Sequence, residues 1–454
     1  MLSKPLMIST SIVLLASCGA QPVGMAEMSA SITATLSEAS TPNVLAERTP
    51  IKAEKGFGPA IRAAVEANDG YRAAIALEAE AMGRVDLAKS ALRPQLRGSA
   101  TVGGLHEAGG GEQDETTTGV AGGINLSQLL YNGGETVAAI NQSTAEALAA
   151  QTARVARANE LALEAARAWI DVWQFQERLA LLRASTSKMN ELVAQIERMA
   201  VNGMLDRAAL DRARGQIVDI RLEEVRLQSK LRDAQVRFER HFNIATSGIS
   251  RPGELFSLSK ARAAAKSWQQ APVLRRSAAE LLIARSAVSG AEAAFRPRAR
   301  LQAGVTSPID AADSTDTSVG LVLEYTFGDG GRRRAQLEMA KARVAAIEAQ
   351  LADEQRSLQA ELDVALTHLS SIERSLPLLE EKMRLSESEA ETARSQIATG
   401  QSNLRQLIDA EIEAYHACDS HITMVAERHL LLLSMAAMTG FLGQELGLGD
   451  SATR

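Results

Sequence analysis

Aromatic residues are nearly missing from this chain. Three Trp, four Tyr and eight Phe among 454 residues amount to 3 %. That is too few for the bulky core of a globular protein of this length. The abundance of Ala, Leu, Glu and Arg suits thin packing between helices instead. Cysteine is almost as scarce. Cys18 and Cys418 lie near opposite ends and are not expected to pair, so no disulfide framework supports the fold. Basic charge is not in excess either; the formal net charge of −6 speaks against a nucleic-acid surface. No stretch after the first residues reaches the roughly 18 consecutive apolar residues that a spanning helix requires, so any membrane crossing must use strands. Motifs that carry chemistry are missing as well. His241, His368, His416, His421 and His429 are scattered, and no acid cluster has metal-ligand spacing. Gly328 to Gly331 lacks the Lys-Ser/Thr of a phosphate loop. The sequence therefore leads us to expect no catalytic residue, no cofactor and no metal.

What is present is a long helical periodicity. Leu358, Leu362, Ala365, Leu369, Ile372, Leu376, Leu379 and Met383 alternate spacings of four and three, the seam of helices packed side by side. The periodicity covers 331–399, a rod of roughly 100 Å at about 1.5 Å per residue. An earlier seam runs through Leu161, Ala165, Ala168, Val172, Phe175 and Leu179 to Ile196. Two such rods in one chain point to an internal repeat. Pro377 falls inside the second rod, where it removes a helix hydrogen bond and should bend it.

The order of elements supports the repeat. A helical stretch from Gly58 to about Ala91 stops at Arg93–Pro94. The period then changes to two: Leu96, Gly98, Ala100 and Val102 share one face, and Arg97, Ser99 and Thr101 the other. A Gly- and acid-rich loop follows, then a second alternating strand through Val120, Ile124 and Leu126. Asn132–Gly133–Gly134 ends the hairpin, the first rod runs to about Ala200, and Asn202–Gly203 turns the chain into a return helix ending near Phe242. Residues 243–269 break the pattern. The order then restarts, with Arg296–Pro297 before two more strands, Gly330–Gly331 after them, the second rod, and a turn at Thr399–Gly400 before a helix from about Leu404 to Phe441.

All four strands carry one apolar face and one small or polar face. Arg97, Arg300 and Glu324 on the second face would be very costly against lipid, so that face must line water. Four strands cannot close a barrel with a lumen, and open edges do not survive in lipid. Eight strands leave little channel, whereas three chains supply twelve. Strand number alone thus leads us to expect a homotrimer.

The twofold repeat, the Arg-Pro before each first strand, the Gly-Gly after each second strand, and Asn202–Gly203 and Thr399–Gly400 at the rod turns resemble the TolC family of outer-membrane channels over about residues 58–443. The resemblance implies a mainly α fold with membrane β-strands: a long α-helical coiled-coil barrel plus four strands per chain, completing a 12-stranded trimeric β-barrel. It implies an exit duct of a tripartite efflux pump or type I secretion system in the outer membrane of a Gram-negative bacterium. The duct would have a periplasmic helical extension and work with a periplasmic adaptor protein and an inner-membrane pump or ABC exporter. In the family, acidic residues shortly after the second turn ring the closed aperture. Aligned on Gly400, those positions fall on Gln406 and Asp409, of which only Asp409 is acidic; Asp206 and Asp211 lie at similar depth in the first repeat. The turns would meet the adaptor, with Gly203, Met204 and Leu205 fitting the family pattern of a small or apolar residue after the turn, and Gly400 at the second turn.

The N-terminus reads as an export signal: Lys4, an apolar run to Ala16, then Leu-Ala-Ser-Cys, which resembles the lipobox of bacterial lipoproteins with Cys18 as the lipid-attachment residue. Gly19, where an Asp would imply inner-membrane retention, implies the outer membrane. The other reading is a plain signal cut after Ala20 or Ala26. The expected organisation is signal peptide 1–17, lipidated tether 18–57, repeat 58–243, linker 244–269, repeat 270–443 and tail 444–454. A competing reading is a structural coiled-coil lipoprotein of the cell envelope without channel activity. Replacing Cys18 separates the two: a barrel protein still partitions with outer-membrane lipid and requires detergent, with heat-modifiable gel mobility, whereas a lipid-anchored spacer becomes soluble.

Overall fold

The computed structural model describes Met28, Ser31, Ala34, Thr35 and Ile51, and residues 56–107, 115–201, 207–244, 249–307, 315–398 and 404–448. Cys18, Asp206, Gly203, Met204, Leu205 and Gly400 lie outside them. The chain divides into Met1–Thr49 and Pro50–Arg454, and the second unit holds every element considered below.

That unit contains the same series twice. The first pass is α1 (Phe57–Glu66), α2 (Asp69–Ser90), β1 (Gln95–Glu107), β2 (Glu115–Tyr131), α3 (Glu135–Val201) and α4 (Arg207–Phe242). A connecting α5 (Leu258–Lys266) and a short 3-10 turn (Trp268–Gln270) lead to α6 (Pro272–Ala293), β3 (Arg298–Ser307), β4 (Asp316–Glu324), α7 (Arg332–Ala398), α8 (Leu404–Met438) and α9 (Phe441–Glu445). α2 and α6 each have 22 residues, and both rods, α3 and α7, have 67. α7 continues through Pro377 without a break in the helix.

The connecting segment is more ordered than its Gly and Pro residues suggest. Ser257 caps α5 by accepting from the Lys260 amide, and Ala261 and Ala264 are buried. The final helix also stops earlier than its apolar pattern does. Gly440, at φ +83°, ends α8, and a Cβ there would meet the Pro272 ring at 3.0 Å. The chain then turns back, and Leu442, Leu446 and Leu448 join the core.

α3 is the centre of the helical layer. Toward the strands it packs between α2 and α6; toward the opposite end it packs between α4 and α8. α7 packs mainly on α6 and α8. The main core sits where these partners change over. Trp169 lies within 5.8 Å of Phe57, Phe238 and Phe242, measured between ring centroids, and its indole N–H donates to the Ser250 carbonyl at 3.0 Å. So the few aromatic residues of the chain are concentrated at this junction. Beside it, Arg154 is 1 % exposed, paired with Glu78 and within 3.4 Å of the Tyr71 hydroxyl and the Leu448 carbonyl. A buried guanidinium with several partners ties the C-terminal turn to α3.

His429 on α8 is buried, and burial first, then Arg428 and Arg251, push its pKa down to about 4. Its ordinary value is 6.5, so the unfolded chain takes up the proton first. The stability due to neutral His429 is complete above about pH 6.5 and is lost as the pH falls toward 4, by up to about 3 kcal/mol. Denaturant titrations between pH 7 and 4.5 are expected to show this loss, and His429→Leu is expected to flatten it.

Candidate functional site

The sheet has the order β1-β2-β3-β4, antiparallel throughout. Register fixes which residues share a face. Leu96 stands opposite Leu126, Leu126 opposite Ala303 and Ala303 opposite Val319. On the other face, Gln95, Ser127, Gln302 and Gly320 form one row, and Arg97, Asn125, Gly304 and Ser318 the next. Arg300 opposes Val322 and Arg298 opposes Glu324, so Arg97, Arg300 and Glu324 fall on one face, as the alternation predicts. A bulge at Leu129 to Tyr131 keeps Tyr131 in line with Ala299 and Leu323 on the apolar side.

The apolar face is bare in the single chain. Leu96, Val102, Val319, Leu321 and Leu323 are all more than 60 % exposed. A patch of this kind on water is a liability, and facing hydrocarbon it is a requirement. β1 and β4 are the free edges, each with a row of unpaired backbone groups. Among the described residues, no helix is long and apolar enough to cross a membrane.

Where strands meet rods, the two Gly-Gly pairs adopt matching conformations: Gly133 and Gly134 at φ +70° and +97°, Gly330 and Gly331 at +66° and +91°. Asn132 and Asp329 cap the rods equivalently, accepting from the Thr136 and Arg333 amides. The Asp329 carboxyl is held below its ordinary range, first by the backbone N–H of Arg333. One contact here joins the two repeats: Arg296 donates to the Gly133 carbonyl at 2.8 Å. Arg-Pro and Gly-Gly stand out in the sequence, but nothing in it says that the arginine of one repeat seats on the glycine of the other.

At the far end, Met189, Leu192, Ile217, Leu407 and Ile408 form a small separate core. Its apolar side chains fix the face that α8 turns outward: Gln406 and Asp409 are exposed, and on α4 so is Asp211. Asp409 has Arg405 at 3.7 Å one turn away, an exposed pair worth a few tenths of a kcal/mol at most. Arg214 pairs with Glu197 across the α3–α4 hairpin at 2.9 Å rather than with an acid of the second hairpin. Further along, Arg178 on α3 holds Asp419 on α8 with two bonds of 2.6 and 3.0 Å, a largely buried link between the hairpins that the heptad pattern does not reveal.

Other groups with chemical potential are quiet. Burial, then the Glu387 carboxylate 3.7 Å away, push the Cys418 thiol up, which keeps it protonated. A cavity of about 370 Å³ between α3, α6 and the C-terminal turn is lined by residues such as Asn159, Gln270 and Arg275, with no carboxylate, His or Cys among its lining residues. Among the described residues, no three His, Cys, Asp or Glu side chains come together as a metal site.

Several solved structures share this fold at low sequence identity. The outer membrane protein VceC of Vibrio cholerae superposes with a TM-score of 0.75 at 16 % identity, over 84 % of this chain and 95 % of its own. The CmeC outer membrane channel of Campylobacter jejuni gives 0.73 at 14 %, over 87 % and 90 %. The open state of the MtrE outer membrane channel of Neisseria gonorrhoeae gives 0.71 at 18 %, over 83 % and 87 %. No curated protein sequence matches the chain. The family model described as outer membrane efflux protein, a family of transport channels rather than enzymes, matches residues 60–242 and 264–440, one segment in each repeat. With both repeats matched and a sheet whose bare face suits lipid, the chain belongs to the outer membrane efflux protein family, a channel protein of the outer membrane whose helices extend into the periplasm.

Proposed function

We propose that three copies of this chain close into one passive exit duct. The observation that carries this reading is the four-stranded sheet with a bare apolar face and two open edges. Closure is the only way to satisfy those edges in hydrocarbon, and twelve strands are the smallest closure by whole copies that leaves a channel. Arg97, Arg300 and Glu324 then line the lumen, where water solvates them. The helices continue the wall toward the inner membrane and receive solute or polypeptide from a periplasmic adaptor protein and an inner-membrane pump or ABC exporter. Gly203, Met204, Leu205 and Gly400 are the adaptor-facing turns, and Cys18 carries the lipid.

In this reading Asp409 rings the periplasmic aperture, with Gln406 beside it and Asp206 and Asp211 on the first hairpin. Three Asp409 carboxylates around a narrow opening attract cations and repel anions. Arg405 does not cancel that charge, because an exposed i, i+4 pair is solvated and loose.

Mass in detergent and single-channel conductance in planar bilayers test the reading together. A trimer passing small, cation-selective currents that grow after Asp409→Ala is the expected result. A monomer or dimer without conductance overturns the duct. As a control, Arg405→Ala is expected to change stability by less than about 0.5 kcal/mol in denaturant titration.

A further inference from the structure

Cationic side chains are confined to one level of the two hairpins. Across 95–131 and 298–324 the sequence holds Arg97, Arg298 and Arg300 and no other Lys or Arg. All of them lie within the first three residues of β1 or β3, on the water-facing side of the sheet.

The internal repeat puts Arg97 and Arg300 at the same depth. α2 and α6 have equal lengths, Pro94 and Pro297 each stand four residues after the helix end, and each arginine stands three residues after its proline. The partners across the hairpins agree. Arg97 faces Asn125 and Arg300 faces Val322, which stand eight residues before Gly133 and Gly330. Along the sheet, the row through Arg97 reaches Gly304, four residues beyond Arg300. Strands tilted against a barrel axis require such a stagger if equivalent residues are to sit level.

The charge at this level is only partly offset within the chain. Arg298 pairs with Glu135 at 2.9 Å. Among the described residues, neither the Arg97 nor the Arg300 side chain has a hydrogen-bond or ion-pair partner. Glu324 is diagonal to Arg300, but its counterpart beside Arg97 is Ser127. Further along the strands the water-facing residues are small or polar and uncharged, Ser99, Thr101, Gln302, Gly304, Thr306 and Ser318 among them, up to Asp316 at the start of β4.

We propose that Arg97 and Arg300 of three copies form a six-arginine ring at the base of the barrel lumen, and that the ring binds solutes bearing carboxylate or phosphate groups as they pass. The inference rests on the trimeric duct and assigns a cargo chemistry to it. Twelve tilted strands about 4.8 Å apart make a circle of roughly 13 Å radius, and arginines reaching about 6 Å inward leave an opening of roughly 7 Å radius. That is shorter than the Debye length of about 8 Å at physiological ionic strength, so the field of the ring extends to the axis. The three Glu324 carboxylates offset half of its charge and leave the rest. Each guanidinium also presents paired N–H donors that match carboxylate and phosphate oxygens, so anions are held by hydrogen bonds as well as by charge.

The ring is tested in full-length protein carrying Asp409→Ala, which removes the acid aperture in series with it. Reversal potentials across a KCl gradient centred near 0.1 M give the preference for potassium over chloride. R97Q/R300Q is expected to shift that preference toward potassium, and R97K/R300K, which keeps the charge, to leave it in place. Near 1 M KCl, where the Debye length falls to about 3 Å, the difference between the arginine and glutamine forms is expected to vanish. Inositol hexaphosphate, a compact phosphate-rich probe, is added on the side of the hairpin loops. It is expected to block the Asp409→Ala channel reversibly and to lose that effect in R97Q/R300Q. Equal ion preference and equal block in the arginine and glutamine forms, with trimer mass intact, overturn the ring and leave the duct standing. If the glutamine form does not assemble, failure of the probe to block the Asp409→Ala channel itself overturns the ring. Absence of both trimer and conductance in the parent protein overturns the duct and the ring together.

Discussion

A backbone N–H or C=O left without a partner in hydrocarbon costs several kcal/mol, and the sheet of this protein answers to that constraint. Among the described residues no helix is long and apolar enough to cross a bilayer, and the face that suits hydrocarbon is the bare apolar side of the sheet. Strands satisfy their backbone only sideways, and a four-stranded sheet leaves two edges unsatisfied. The alternation of faces follows from the same requirement. With lipid on one side and water on the other, each strand must change character at every residue, as Leu96, Arg97, Gly98 and Ser99 begin to do.

The helical part answers to a different constraint, length. A rod of 67 residues cannot be buried in a compact domain, so it is buried by neighbours that change along its course. α3 exchanges α2 and α6 for α4 and α8 near its middle. The large side chains are placed at that exchange, where four helices converge and leave more space than a two-helix seam. Trp169 and its three phenylalanine neighbours fill it, while Ala and Leu suffice elsewhere.

Much of this was legible in the residues because the signals are periodic. Heptads gave the rods to within a residue or two, alternation gave the faces of the strands, and Arg-Pro and Gly-Gly marked the junctions. Contacts between distant elements were not legible. Arg296 on Gly133, Arg178 on Asp419 and Arg154 on the Leu448 carbonyl join residues with no fixed spacing. α5 was missed because nine residues with three consecutive alanines, flanked by Gly and Pro, show little periodicity. The early end of α8 was missed because the apolar pattern continues through Gly440, which takes a left-handed φ of +83° where a Cβ would also meet the Pro272 ring.

The two repeats keep the lengths of their rods but not the chemistry of the helix faces beside them, and the difference has a physical reason. Inside the chain, α3 and α8 are joined partly by the Arg178–Asp419 pair, which aligns the helices but adds little net stability once desolvation is counted. The corresponding α4 position is Leu222, within a stripe of exposed valines. Covalent connection brings α3 and α8 together, so their contact has only to fix orientation. A seam between separate chains must also overcome lost translational freedom, and burial of apolar surface is the interaction that supplies such a driving force.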